Sequence, residues 1–133
     1  MYKILVVEED LNARRRICSC IEDNHIAAIE SPNSRHAWET LKSNDSILMV
    51  FISEKSSRVD AKELMEFIAL DTTMKNVPVY IMAEVSSPKQ IFKLLSYGAA
   101  GFIVKPVRLD EVRDYLYLFF AQEKKITESQ IQS

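Results

Sequence analysis

With 133 residues, 47% of them hydrophobic, the chain is long enough for one compact domain with a real core and short for a second. Its 17 basic and 19 acidic side chains nearly cancel and are interspersed, so the formal charge of -2 offers no basic face to nucleic acid or anionic lipid, and direct nucleic acid binding is not expected. The opening Met1-Tyr2-Lys3 runs straight into an apolar segment without a signal-peptide cleavage region, and no stretch is long and apolar enough to cross a bilayer. The expectation is a cytoplasmic chain with no membrane association.

Tyr2 to Val7 is an almost continuous apolar run, the pattern of a strand buried on both faces. From Leu11 to Asp23 the apolar positions Ala13, Ile17, Cys20 and Ile21 recur at helical spacing, with Asp10 placed to cap the start. The alternation repeats with a strand at His25–Glu30, a helix at Arg35–Lys42, a strand at Ile47–Ile52 and a helix at Ala61–Leu70. A strand at Val79–Ala83, a helix at Pro88–Tyr97, a strand at Phe102–Val104 and a helix from Leu109 to about Lys124 complete it. Parallel strands need crossover connections, so this order predicts an α/β fold, a flavodoxin-like doubly wound five-stranded parallel sheet with helices on both faces. Residues 1–125 form the domain, and 126–133 read as a polar tail or the start of a linker.

Several features take bland readings. Arg14-Arg15-Arg16 falls on the first helix, where consecutive residues point in different directions, and reads as a solvated face. Cys18 and Cys20, two residues apart on that helix, cannot make a local redox or zinc site; Cys20 reads as core and Cys18 as the more exposed. Gly98 and Gly101 are the only glycines, and neither lies in a phosphate-cradling loop after the first strand, which argues against a dinucleotide fold. Gly98 is placed instead to end the fourth helix in a left-handed conformation.

In such sheets, sites lie beyond the carboxyl ends of the strands near the switch in strand order. The residues delivered there are Glu8 and Glu9, Ser53, Ala83 and Lys105. Together Ile4-Leu5-Val6-Val7-Glu8-Glu9-Asp10, Ile47 to Ile52 followed by Ser53-Glu54-Lys55, Asp60-Ala61, and Phe102-Ile103-Val104-Lys105-Pro106 resemble the receiver domain of bacterial response regulators, the CheY-like architecture. That resemblance implies a signalling domain. In the family, an aspartate ending the third strand takes a phosphoryl group from a histidine kinase with the help of a divalent cation. Such transfer depends on positioning and charge neutralisation, with carboxylates on Mg2+ and a lysine on the phosphate oxygens.

The resemblance also marks the departures. Ser53 stands at the phosphoacceptor position, and a serine hydroxyl is neither a carboxylate nucleophile nor an anionic metal ligand. If the loop were one residue shorter, Glu54 would take that place and could mimic a permanently charged state. Glu8 and Glu9 match the acidic pair, whose second member is usually aspartate, and their extra length suits octahedral Mg2+ poorly, so metal binding is expected to be weak or absent. Asp10 is a substitute ligand or a helix cap, the cap being preferred. Ala83 replaces the hydroxyl residue that bonds the phosphoryl group. Lys105 is retained before Pro106, a bond usually cis in the family, and is expected to pair with Glu8 or Glu9. Phe102 matches the aromatic switch position and is expected to stay buried.

The reading that follows is a degenerate, or pseudo, receiver: not an enzyme, without cofactor, acting by phosphorylation-independent protein-protein interaction. The alternative is a phosphorelay regulator with an atypical acceptor, Ser53 or Glu54; a third is a flavodoxin-like domain, or an enzyme, binding a small molecule at the same sheet edge. The resemblance places the interaction surface on the fourth helix, fifth strand and fifth helix, for a signalling partner or a second copy in a homodimer. On the last helix Tyr115-Leu116-Tyr117-Leu118-Phe119-Phe120 carries more aromatic surface than one stripe can bury, and Tyr117 and Phe120 are the outward candidates.

Overall fold

The computed structural model describes the backbone of residues 2–132 and the side chains of residues 2–121. Five strands, β1 (Lys3–Val7), β2 (Ala27–Ser31), β3 (Ile47–Ser53), β4 (Val79–Ala83) and β5 (Gly101–Val104), alternate with five helices. The helices are α1 (Leu11–Asp23), α2 (Ser34–Ser43), α3 (Ala61–Leu70), α4 (Pro88–Ser96) and α5 (Leu109–Gln132). All strand pairs are parallel and the order is β2-β1-β3-β4-β5, so the doubly wound sheet is as expected.

Pleating sends alternate residues to opposite faces, and each face builds its own core. Leu5, Val7, Val50, Ile52 and Ile81 pack with Leu41, Leu64, Ile68 and Leu94 from α2, α3 and α4. Ile4, Val6, Met49, Phe51, Met82 and Ile103 pack with Ile17, Ile21, Val112 and Leu116 from α1 and α5. Burial on both faces explains why the strands read as unbroken apolar runs instead of alternating ones.

The helix starts are set by short polar side chains. Asp10, Asn33, Asp60 and Ser87 each accept a hydrogen bond from the backbone amide three residues on, the N-cap geometry. Asp10, at 2.8 Å from the Ala13 amide, is therefore the cap preferred for it. Gly98, at φ 94°, leaves α4 through the left-handed region as its sequence position predicts.

Some boundaries move, with a local cause. Strand β2 begins at Ala27 and not at His25, because His25 turns the chain at the end of α1 with φ 65° and its amide bonds the Glu22 carbonyl. Cys18 is as buried as Cys20, because the edge strand β2 packs on that side of α1; burial pushes the Cys18 thiol up to about 12, which makes it an inert core residue. The backbone of α5 continues to Gln132, past the stop expected near Lys124, while the tail expected at 126–133 lies outside the residues whose side chains are described.

Candidate functional site

The strand ends converge as the topology requires. The Glu8 amide extends the ladder to the Ser31 carbonyl at 3.0 Å, and the Lys105 amide bonds the Ala83 carbonyl at 2.8 Å, so β1, β3, β4 and β5 present their next side chains at one edge. The Lys105-Pro106 peptide bond is cis. Ser53 is the last residue of β3, fully buried, and Glu54 begins the loop beyond it. The register thus points Ser53, and not Glu54, at the acidic residue after β1.

Glu8 is 5% exposed, and a buried carboxylate needs partners for both oxygens. One oxygen accepts the Ser53 hydroxyl at 2.8 Å and the Lys105 ammonium at 3.3 Å, and the other accepts the Asp10 amide at 3.3 Å. Lys105 therefore pairs with Glu8, one of its two expected partners. Its ammonium, on a side chain 29% exposed, supplies the positive charge that a cation would otherwise bring.

Glu9 does not join them. It turns toward the β3–α3 loop, where the Ser57 hydroxyl donates to it at 2.7 Å and the Arg58 amide at 3.2 Å. The Ser56 and Ser57 hydroxyls hold its carboxyl below the ordinary glutamate range, with burial opposing them and the Arg58 amide adding to them. The acidic pair is thus split between two tasks, with Glu8 neutralised inside and Glu9 stapling a loop. Among the described residues no three His, Cys, Asp or Glu side chains gather where a metal ion could sit. The donors present are one paired carboxylate and a hydroxyl, which is not the set of anionic oxygens that Mg2+ takes.

Chemically, a carboxylate beside a hydroxyl could act as a base toward it, but Ser53 has no exposed surface by which a phosphoryl donor could approach. Above it, Glu54, Lys55, Ala83, Glu84 and Lys105 line an open cavity of about 340 Å³. Ala83 is buried in the core and brings no donor to that cavity. Glu54 lies at its rim, with one carboxylate oxygen accepting the Gln90 amide group at 3.2 Å. The sequence does carry a local signal for Gln90, since Ser87-Pro88-Lys89-Gln90 has the spacing of a capping box.

Phe102 is half-buried and not buried as expected, because β5 is the edge strand and has a neighbour on one side only. Its carbonyl accepts the Tyr115 hydroxyl at 3.1 Å. This contact fixes which side of α5 faces β5. Leu118, three residues on from Tyr115, shares that side and is 60% exposed. Val104 of β5 and Phe92 and Leu95 of α4 are exposed as well, and α4 packs on β5, so each of the three elements of the α4–β5–α5 flank carries uncovered apolar side chains.

Of the two outward candidates, Tyr117 and Phe120, the first lies outward as expected. Tyr117 is exposed, but its hydroxyl donates to Asn24 at 3.3 Å, at the end of α1, so it looks toward α1 and away from β5. Phe120, three residues on from it, is half-buried and sits edge-on to Phe119 with centroids 5.4 Å apart. Composition showed that the helix had surplus apolar surface. The helical period alone did not show which side α1 would take.

Comparison with known proteins agrees with this architecture. The family described as response regulator receiver domain matches residues 4–117. A response regulator-like protein of Arabidopsis thaliana, APRR3, is 30% identical over 113 residues, covering 84% of this chain and 23% of that protein. The rice protein PRR73, also named response regulator-like, is 29% identical over 113 residues, covering 84% of this chain and 15% of its own length. The chain therefore spans less than a quarter of these relatives. Among solved structures, the receiver domain of Francisella response regulator 1452 superposes with a TM-score of 0.82 at 20% identity, over 92% of this chain and 99% of that one. The Vibrio cholerae chemotaxis response regulator CheY4 gives 0.81 at 17% identity, over 90% and 98%. At these identities the structural likeness is one of fold.

Proposed function

The chain belongs to the response regulator receiver domain family, and within it we propose that this domain is a degenerate, or pseudo, receiver that acts by binding proteins without accepting a phosphoryl group. One observation carries the reading. Ser53, at the acceptor position, is buried and bonded to a Glu8 that Lys105 already neutralises. Phosphoryl transfer needs an accessible nucleophile, anionic metal ligands and a hydroxyl at the switch position; Ser53, the divided glutamates and Ala83 supply none of these. The same reading makes the domain neither an enzyme nor dependent on Mg2+, and places it in the cytoplasm. The relatives' names, response regulator-like, suit a protein that keeps the fold and departs from the regulator chemistry.

Function then resides in the surface left uncovered. The partner is another signalling domain or a second copy of this chain, seated on Phe92, Leu95, Val104 and Leu118 across the α4–β5–α5 flank. Sedimentation of the wild type, with and without acetyl phosphate and Mg2+, tests both halves of the proposal. Self-association should be unchanged by the phosphodonor and should disappear in Phe92→Asp/Leu118→Asp. Association that appears only with the phosphodonor overturns the reading. A monomer under all conditions that also captures no signalling domain through this flank does so as well.

A further inference from the structure

The side-chain amide of Gln90, in the first turn of α4, is fully used, and its four contacts join three segments. Its oxygen accepts from the Ser86 amide at 2.9 Å and the Ser86 hydroxyl at 3.2 Å, and its nitrogen donates to the Glu84 carbonyl at 2.7 Å and to the Glu54 carboxylate at 3.2 Å. Two donors on one side and two acceptors on the other fix which end of the amide is which. In an ordinary capping box the residue at this position reaches back to the N-cap amide. Here Gln90 reaches one residue further, to Ser86, and keeps a proton for Glu54 on the far loop. Its own amide is bonded by the Ser87 cap, so the start of α4 does not depend on the side chain.

We propose that Gln90 is a positioning residue that ties the β3–α3 loop to the β4–α4 loop and to α4, and so holds the α4–β5–α5 flank in one arrangement without any phosphate. Ala83 has no hydroxyl to draw the β4–α4 loop toward the site, and the Glu54–Gln90 contact makes the connection from the other side of the same cavity. Glu54 is well placed to anchor it, because its amide bonds the Met82 carbonyl at 2.8 Å and its carbonyl accepts the Ala61 amide at 2.9 Å, which pins it to β4 and to α3. A hydrogen bond to a charged acceptor is stronger than one between neutral groups. The flank's role as a docking surface rests on the function proposed above, but the coupling itself does not require it.

The test is amide hydrogen exchange over residues 84–92 of the whole chain, read without any partner. Gln90→Ala should raise exchange there about tenfold, the loss expected for one charge-assisted hydrogen bond, with the amides of β1 and β3 unchanged. The decisive variant is Glu54→Ala. If Gln90 is a tie between loops, removing its distant anchor raises exchange in the first turn of α4, and Glu54→Ala/Gln90→Ala adds nothing to Gln90→Ala. If Gln90 is only a local cap, Glu54→Ala leaves residues 84–92 at the wild-type rate, and the proposal is overturned. Self-association measured on the same variants separates the two claims: faster exchange in a chain that binds nothing keeps the tie and removes the docking role.

Discussion

The carboxyl edge of the sheet and the α4–β5–α5 flank lie side by side and are finished in opposite ways. At the edge the carboxylates that follow β1 and β3 have partners: Glu8 is bonded by Ser53, Lys105 and Asp10, Glu9 by Ser57 and Arg58, Glu54 by Gln90. On the flank Phe92, Leu95, Val104 and Leu118 are left to water. Carboxylates tied up in this way are already satisfied by the protein, while exposed aromatic and aliphatic side chains gain free energy only when something covers them. The contrast is what supports the proposal that in this receiver the site serves as scaffold and the flank as the working surface.

The comparison can be broken most severely at Glu8. Glu8→Ala leaves the Lys105 ammonium and the Ser53 hydroxyl without their acceptor and should cost about 2–4 kcal/mol in urea denaturation. A change below about 0.5 kcal/mol, the level of an ordinary surface substitution, would show that the network is not part of the scaffold.

A smaller effect is expected from Ser53→Asp, which sets a second carboxylate against Glu8 with only Lys105 to offset both. The cost should be about 1–3 kcal/mol, partly recovered when Mg2+ is added during thermal melts. Because Glu9 faces Ser57 and Ala83 is unchanged, the substitution should not restore a phosphate-driven switch. Unaltered stability with no response to the ion would mean that the two carboxylates do not meet.

On the flank the prediction is a dissociation of effects. Phe92→Asp and Leu118→Asp should each shift folding stability by no more than about 0.5 kcal/mol, since both side chains are exposed, and yet abolish association. Tyr117→Asp, on the α1 side, should leave association intact. Loss of binding in Tyr117→Asp alone would move the working surface to the α1–α5 groove.

Two finer changes sharpen the scaffold half. His25→Gly relieves a left-handed backbone at the end of α1 and should raise stability by roughly 0.5–1 kcal/mol. Glu9 has a folded pKa below its unfolded value, so its contribution is present above the ordinary glutamate range and is lost as pH falls through the lowered value. As pH falls below the ordinary glutamate range the Arg58 amide should lose protection relative to its intrinsic exchange rate, and Glu9→Gln should remove that pH dependence. An acid response that persists in Glu9→Gln would assign it to another group.

How much of this was legible in the sequence varies by region for physical reasons. The strands were readable because burial on both faces writes continuous apolar runs, and the helix starts because Asp10, Asn33, Asp60 and Ser87 cap them. The positions of Ser53, Ala83 and Lys105 followed from their places at strand ends. What the sequence did not carry was direction. Glu8 and Glu9 are adjacent and chemically alike, and only the β-strand's alternation, continued past Val7, sends one inward and the other to Ser57. That Tyr117 reaches Asn24 was not legible for the same reason, since its side of α5 is decided by where α1 packs. The Glu54–Gln90 tie spans 36 positions, and no local pattern encodes a contact between two loops.

The central claim is that the acceptor position has become structural, and intact-mass measurement after incubation with acetyl phosphate and Mg2+ tests it most directly. The account predicts that the wild-type chain keeps its mass, with Ser53 shielded and held by Glu8. A phosphate adduct that maps to Ser53 or Glu54 and is lost in Ser53→Ala or Glu54→Ala would contradict it.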